Sequence, residues 1–393
     1  MVTLLAACDP EVPASCPPGD GLGAWSPLPT RLAPGHRHHH VMTNSAGRVL
    51  VWGGQGDLGP LSDGALYDVV SETWSPLPDL GAPSPRWQFA WAFSGRFLVV
   101  WGGLGGLDGD APRGDGAVLD TFTGTWTTLP AEGAPSPRYR AAAAMSGQEF
   151  FVVGGLDQQG PVHDGHRLDL AATPPTWTAM TGVFPLLTED DLGPRGGRAV
   201  HLWATADRLL AVSGLGDGGP TVRAASYPFP AGPWLADDAS GAPPARRGSA
   251  AVWRGSQVIL YGGHLCDREP GLDRTAYLDG GGIYTLAGYP LPHPNGWEPL
   301  AGVGDVSLPR SLHAAAWTGN GVLVAGGVDP GLCGGAVFLD WTSRQWLRLS
   351  YANSPPVAAF PGVAWLGESL VVWGGHRPPA QAPLGPAGNI WRP

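Results

Sequence analysis

The residues of this 393-residue chain best equipped for ligand chemistry are arginines at regular spacing. Arg37, Arg86, Arg138, Arg198, Arg246 and Arg310 each stand sixteen residues before a glycine that ends an apolar run; the seventh such position holds Ala358. A guanidinium is a planar fork that fits a carboxylate or phosphate. If the six encircle one opening, they form a ring for an acidic ligand, a carboxylated sugar or an acidic peptide. The alternative is structural, with each arginine paired to acids in the preceding links, among them Glu132, Glu189, Asp190, Asp191, Asp237, Asp238 and Asp305.

Around Arg37 the chain reads GHRHHH, Gly35 to His40. A zinc site needs three or four converging ligands. In a strand His38 and His40 point to one face and His39 to the other, so the run alone does not make such a set. No metal and no other cofactor is expected. Asp63, Asp115 and Asp164 each precede a glycine. Carboxylates there could ligate a cation, but Asp-Gly is also an ordinary turn signal, and the turn is the simpler expectation. No Ser-His-Asp order, phosphate loop or dinucleotide fingerprint stands out.

The elements that must carry these residues are short strands. RVLVWGG, RFLVVWGG, EFFVVGG, RLLAVSG, QVILYGG, GVLVAGG and SLVVWGG recur along the chain. Apolar β-branched or aromatic runs that end in glycine read as buried strands. Trp25, Trp74, Trp126, Trp234 and Trp346 lie twelve residues before the arginine position, Trp297 thirteen and Trp177 twenty-one. One repeat is thus about fifty residues with four strand-like segments.

These features resemble the Kelch repeat, over residues 25 to 393. The resemblance implies an all-β fold, a single seven-bladed propeller, with the glycine pair after the second strand of each blade and the tryptophan in the fourth. It also implies that His40, His201 and His313, each three residues after a repeat arginine, hydrogen-bond within their blades. Inner strands crowd the axis and should be small, as in RAAAAM and LHAAAW. The repeats open on a lone fourth strand, AWSPLP, and finish after a third strand, GNIW, so the N-terminal strand should complete the last blade and close the ring. Residues 1–23 are then a leader and tether, and residues 24–393 the propeller. First-to-second turns are tight; the long segments are second-to-third loops and fourth-to-first links, which share one face. Long loops on a rigid scaffold carry binding residues.

Composition narrows the partners. The net charge is −10 and all 23 basic residues are arginine, which disfavours nucleic acid. The expected role is a non-enzymatic binding module, monomeric, with a protein or glycan ligand. The alternative is a carbohydrate-active propeller enzyme, similar to the sialic acid mutarotases or galactose oxidase, in which Arg138, Arg140, His201 and Glu189 would supply the chemistry. Cys266 and Cys333 fall in equivalent loops of successive repeats and could form a disulfide. LAAC, ending at Cys8, resembles a bacterial lipobox, and residues 9–23 would be a Pro/Gly-rich tether; Cys16 could instead pair with Cys8. Membrane contact is expected only through that lipid, at a bacterial envelope or after secretion.

Overall fold

A computed structural model describes residues 21–106, 111–186, 200–213, 221–230, 232–266, 275–286, 296–304, 309–330, 334–376 and 388–393. Among them are seven four-stranded antiparallel sheets and two short ribbons, with no α-helix. The first sheet shows the pattern of all seven: Val41–Ser45 innermost, then Arg48–Gly56, Gly59–Asp68 and Thr73–Pro76 outermost. Among the described residues no helix is long and apolar enough to cross a membrane.

The buried stretches of the second strands are apolar because both of their faces are covered. Each blade lays its two faces on two neighbours, so the core is seven separate layers, each shared by an adjacent pair of blades. Aromatic pairs build these layers. The second-strand ring of one blade meets the fourth-strand tryptophan of the next: Trp52 with Trp126 at 5.3 Å between centroids, Trp101 with Trp177 at 5.0 Å, and Trp373 with Trp74 at 4.8 Å. The indole N–H of the same tryptophan donates to a carbonyl in the preceding link, Trp74 to Pro29, Trp126 to Pro78 and Trp177 to Pro130, each at 3.0 Å. Apolar area and a satisfied N–H together fix the blade-to-blade rotation.

The ring closes as the termini foretold. Ala24–Pro27 pairs antiparallel with Gly388–Arg392, with Trp25 opposite Trp391. Leu22 extends the latch, donating to the Arg348 carbonyl of blade six at 2.9 Å. Blade four departs from the sequence register. His201 lies opposite Val212, the position of Met42 opposite Val51 and Ala315 opposite Val324. It is therefore two places further along the inner strand than His40 and His313, and is not their counterpart.

Candidate functional site at the loop-face channel mouth

The sequence leaves the repeat arginines either as an open ligand ring or as structural partners of acids; in the structure the described ones are buried. Arg37, Arg86, Arg138, Arg246 and Arg310 are 0–3% exposed. Each guanidinium turns back into its own blade and donates from Nη1 to the carbonyl of the first glycine of the pair, for Arg37 to Gly53 at 3.1 Å and for Arg86 to Gly102 at 3.1 Å. The carboxylate partners are the Asp-Gly aspartates, not the acids of the links. Arg37 meets Asp63 at 3.0 Å, Arg86 meets Asp115 at 2.8 Å, and Arg138 pairs with Asp164. Burial alone would raise the Asp164 carboxyl, but the hydrogen bond and charge of Arg138 outweigh it and hold it below the usual range. In blades five and six the guanidinium reaches carbonyls: Arg246 donates to Gly280, and Arg310 to Gly334 and Gly335. Of the link acids, Asp237 instead accepts from the Tyr284 hydroxyl at 2.7 Å. Arg198, Glu189, Asp190, Asp191 and Asp305 lie outside the described residues, as do Cys8, Cys16 and Cys333.

The residues after each buried arginine, and after Ala358 in blade seven, build the mouth. The next residue bridges to the segment that follows the glycine pair: His38 to Gln55, Trp87 to Leu104, Tyr139 to Leu156, Arg247 to His264, Ala359 to His376. The one after that takes a left-handed backbone: His39 (φ 52°), Gln88 (52°), Arg140 (57°), Gly248 (62°), Leu312 (56°) and Phe360 (57°). Five of these six are not glycine, and side chains rarely adopt that region without support. The support is a belt of backbone hydrogen bonds from blade to blade, Arg140 to Gln88 at 2.8 Å, Leu312 to Gly248 at 2.7 Å and Phe360 to Leu312 at 2.8 Å. Nothing in the sequence marks this belt, since the left-handed position holds a different residue in each blade.

On one side of the mouth the belt gathers aromatic rings. His39 stacks obliquely on Phe360 at 4.2 Å and lies edge-on to Trp87 at 5.6 Å; His38 lies 5.2 Å from His376. His38 and His39 share a hydrogen bond of 2.6 Å between their Nδ1 atoms. Burial, then the neighbouring His376 and His36, pull the His38 pKa down to about 3, so its ring is neutral. Among the described residues no three histidines, cysteines or carboxylates converge as a metal site. The belt also carries cations: Arg140, its guanidinium 5.8 Å from the Tyr139 ring centre, and half-buried Arg247.

His264 Nδ1 and Ser311 Oγ lie 2.6 Å apart. Burial and Arg247 hold His264 down at about 4, which makes it a weak base, and Ser311 is 2% exposed. The pair locks two blades together. His40 and His313 also act between blades: His40 abuts Gly362 and Gly374 of blade seven, and His313 abuts Gly262 and Tyr261 of blade five. That differs from the within-blade bonding expected for them.

Comparison with known families now decides the fold's identity. The Kelch motif matches residues 36–81, and the KLHDC2/KLHL20/DRC7 Kelch-repeats domain matches residues 81–263. The chain is a Kelch-repeat β-propeller. It is 27% identical over 292 residues to putative adagio-like protein 2 of Oryza sativa subsp. japonica, covering 68% of this chain and 42% of that protein. Adagio-like protein 1 of the same plant is 28% identical over the same shares. Acyl-CoA-binding domain-containing protein 4 of Arabidopsis thaliana is 31% identical over 264 residues, 64% of this chain and 36% of that protein. The chain spans less than half the length of these relatives. In this Kelch propeller, then, the conserved-looking arginines are scaffold, and the variable residues one and two places on are the candidate site.

Proposed function

We propose that this propeller is a non-enzymatic binding module whose loop-face channel mouth takes an acidic ligand, a carboxylate-bearing peptide or glycan. One observation carries the reading: the belt holds Arg140 and Arg247 half-buried at the rim, Arg140 beside Tyr139 and bonded through its backbone to Gln88, next to Trp87. A cation on a rigid backbone loses little freedom when it pairs, and a flanking aromatic strengthens the pairing by excluding water. Kelch propellers commonly serve as interaction modules, and this supports the reading. The enzymatic alternative receives less support. Arg138 is spent inside its blade, and His201 lies on the inner strand rather than at the mouth.

The test is binding of immobilised propeller to matched acidic and neutral peptides and glycans, with Arg140→Ala/Arg247→Ala beside the parent. The acidic set should bind and the double variant should lose about tenfold or more, with thermal unfolding unchanged. Equal binding of neutral and acidic probes would reject the reading. Placement outside the cytoplasm, through lipid on Cys8, belongs to the same proposal; fatty-acid labelling of the intact chain that leaves Cys8 unmodified would remove it.

A further inference from the structure

The face opposite the loops, where the tight turns lie, carries a cation–aromatic surface at the seam of blades five and six. Arg254 ends the inner strand of blade five, opposite Gln257. Its side chain crosses to blade six, where its guanidinium carbon lies 5.0 Å from the ring centre of Trp317 and 4.6 Å from that of Trp341. Trp317 ends the inner strand of blade six, and Trp341 stands in the third-to-fourth turn of that blade. The two indoles meet edge-on at 5.7 Å, and both keep part of their surface exposed. Arg344, in the same turn as Trp341, lies 3.5 Å from the Trp341 ring centre. Two guanidinia therefore share one indole.

Their hydrogen-bonding capacity is mostly unspent. A guanidinium has five N–H donors. Among the described residues Arg254 donates once, to the Gln257 side-chain oxygen at 2.7 Å, and Glu298 stands 3.6 Å from Arg344, beyond hydrogen-bond distance. Residues 287–295, which join the third and fourth strands of blade five, contain no aspartate or glutamate. Burial, then the charge of Arg344, pull the Arg254 pKa below the usual guanidinium value. Blade two shows the completed form of such a stack. Arg96 lies 4.8 Å from the Phe97 ring centre and 5.4 Å from that of Phe122, and Asp120 fills its fork at 3.1 and 2.6 Å. The corresponding aspartate of blade six, Asp340, is spent on the Ser343 N–H and hydroxyl.

An incoming carboxylate would supply what Asp120 supplies to Arg96. Guanidinia already stacked on a ring lose little freedom when they pair, and tryptophan and arginine are the side chains that anchor protein interfaces. The chain's net charge of −10 opposes a polyanion such as nucleic acid or an anionic membrane. A short peptide segment brings a few carboxylates and apolar side chains to cover the indoles. We infer that the tight-turn face of blades five and six docks an acidic segment of a partner protein, its carboxylates on Arg254 and Arg344 and its apolar side chains on Trp317 and Trp341. The inner strand of blade five runs from Arg247 at the loop face to Arg254 at this one, so the two sites face apart and the propeller can bridge two partners.

The test uses the Arg140→Ala/Arg247→Ala protein throughout, so that the loop-face site contributes nothing and failure here leaves that reading standing. Two fluorescein-labelled peptides are compared by anisotropy, one with glutamates flanking a leucine and one with glutamines in their place. The glutamate peptide should bind saturably, and the glutamine peptide about tenfold more weakly or not at all. Adding Arg254→Gln should weaken glutamate-peptide binding by about tenfold with thermal unfolding unchanged. Arg344→Asn, exposed and at a left-handed position that asparagine tolerates, should weaken it severalfold and serves if the Arg254 variant folds poorly. Absence of saturable binding by the glutamate peptide, equal binding of the glutamine peptide, full binding by either folded variant, or tighter binding of an oligothymidylate or a phosphatidylserine vesicle would each overturn the inference.

Discussion

Gly54 of blade one donates its backbone N–H to the carbonyl of Arg86 in blade two, 3.0 Å away. The guanidinium of Arg86 then grips Gly102 and Asp115 within blade two, and Gly103 passes the link on to the Arg138 carbonyl at 2.8 Å. Gly375 returns it to the Arg37 carbonyl, also at 2.8 Å. Arg37, Arg86, Arg138 and Arg310 are thus two-ended couplings, backbone to one blade and side chain to the other. Arg86→Met should destabilise the propeller by about 3–5 kcal/mol, because it strands the buried carbonyls that Arg86 now satisfies. Arg86→Lys should recover only part of the loss, lacking the fork that reaches several acceptors at once. Urea unfolding followed by tryptophan fluorescence reads both; a Met variant as stable as the parent would contradict the coupling.

Two glycines of similar backbone conformation separate strain from collision. Gly103 (φ +93°) has the Trp87 carbonyl oxygen 2.7 Å and the Phe89 Cβ 2.8 Å from where its own Cβ would stand, whereas Gly95 (φ +89°), in a tight turn, has nothing within 4 Å. Gly95→Ala should cost about 1–2 kcal/mol from backbone strain alone. Gly103→Ala should cost clearly more in the same unfolding measurement.

Ring closure rests on Trp25, 4% exposed between blades six and seven. Trp25→Ala should cost about 3–5 kcal/mol. The loosened strand would bare the Gly388–Arg392 edge, so light scattering should detect concentration-dependent association.

Stability should fall with acid. His38 and His313 are held at about 3 and His264 at about 4, chiefly by burial, and all three are neutral in the folded chain. Unfolded, they titrate near 6.5. Between that value and the folded ones the unfolded chain binds more protons, so stability drops as pH falls from about 6.5 to 4. The melting temperature should be flat from pH 7 to 8 and decline below 6.5, less steeply in His264→Gln. Asp164, held below its usual range, adds a further loss at still lower pH.

Much of the fold could be read in the sequence because glycine, arginine and tryptophan recur for reasons of backbone geometry and buried hydrogen bonding, which permit few substitutes. Ring closure was visible in the orphan strand around Trp25. The partnership of Arg37 with Asp63 was not, although the aspartates stood out; an Asp-Gly pair looks the same whether or not its carboxylate faces a buried cation. Counting from Gly214 aligned His201 with His40, and strand pairing shows a shift of two that no local pattern announces. The site was least legible, since His39, Gln88, Arg140, Leu312 and Phe360 have only a backbone angle in common.

That angle has an evolutionary consequence. In blades one, two, three, five and six a buried arginine is followed immediately by residues that differ from blade to blade. A left-handed position already tolerates histidine, glutamine, arginine, leucine and phenylalanine in one molecule. Specificity could therefore drift one side chain at a time around the rim, leaving the framework beneath it intact.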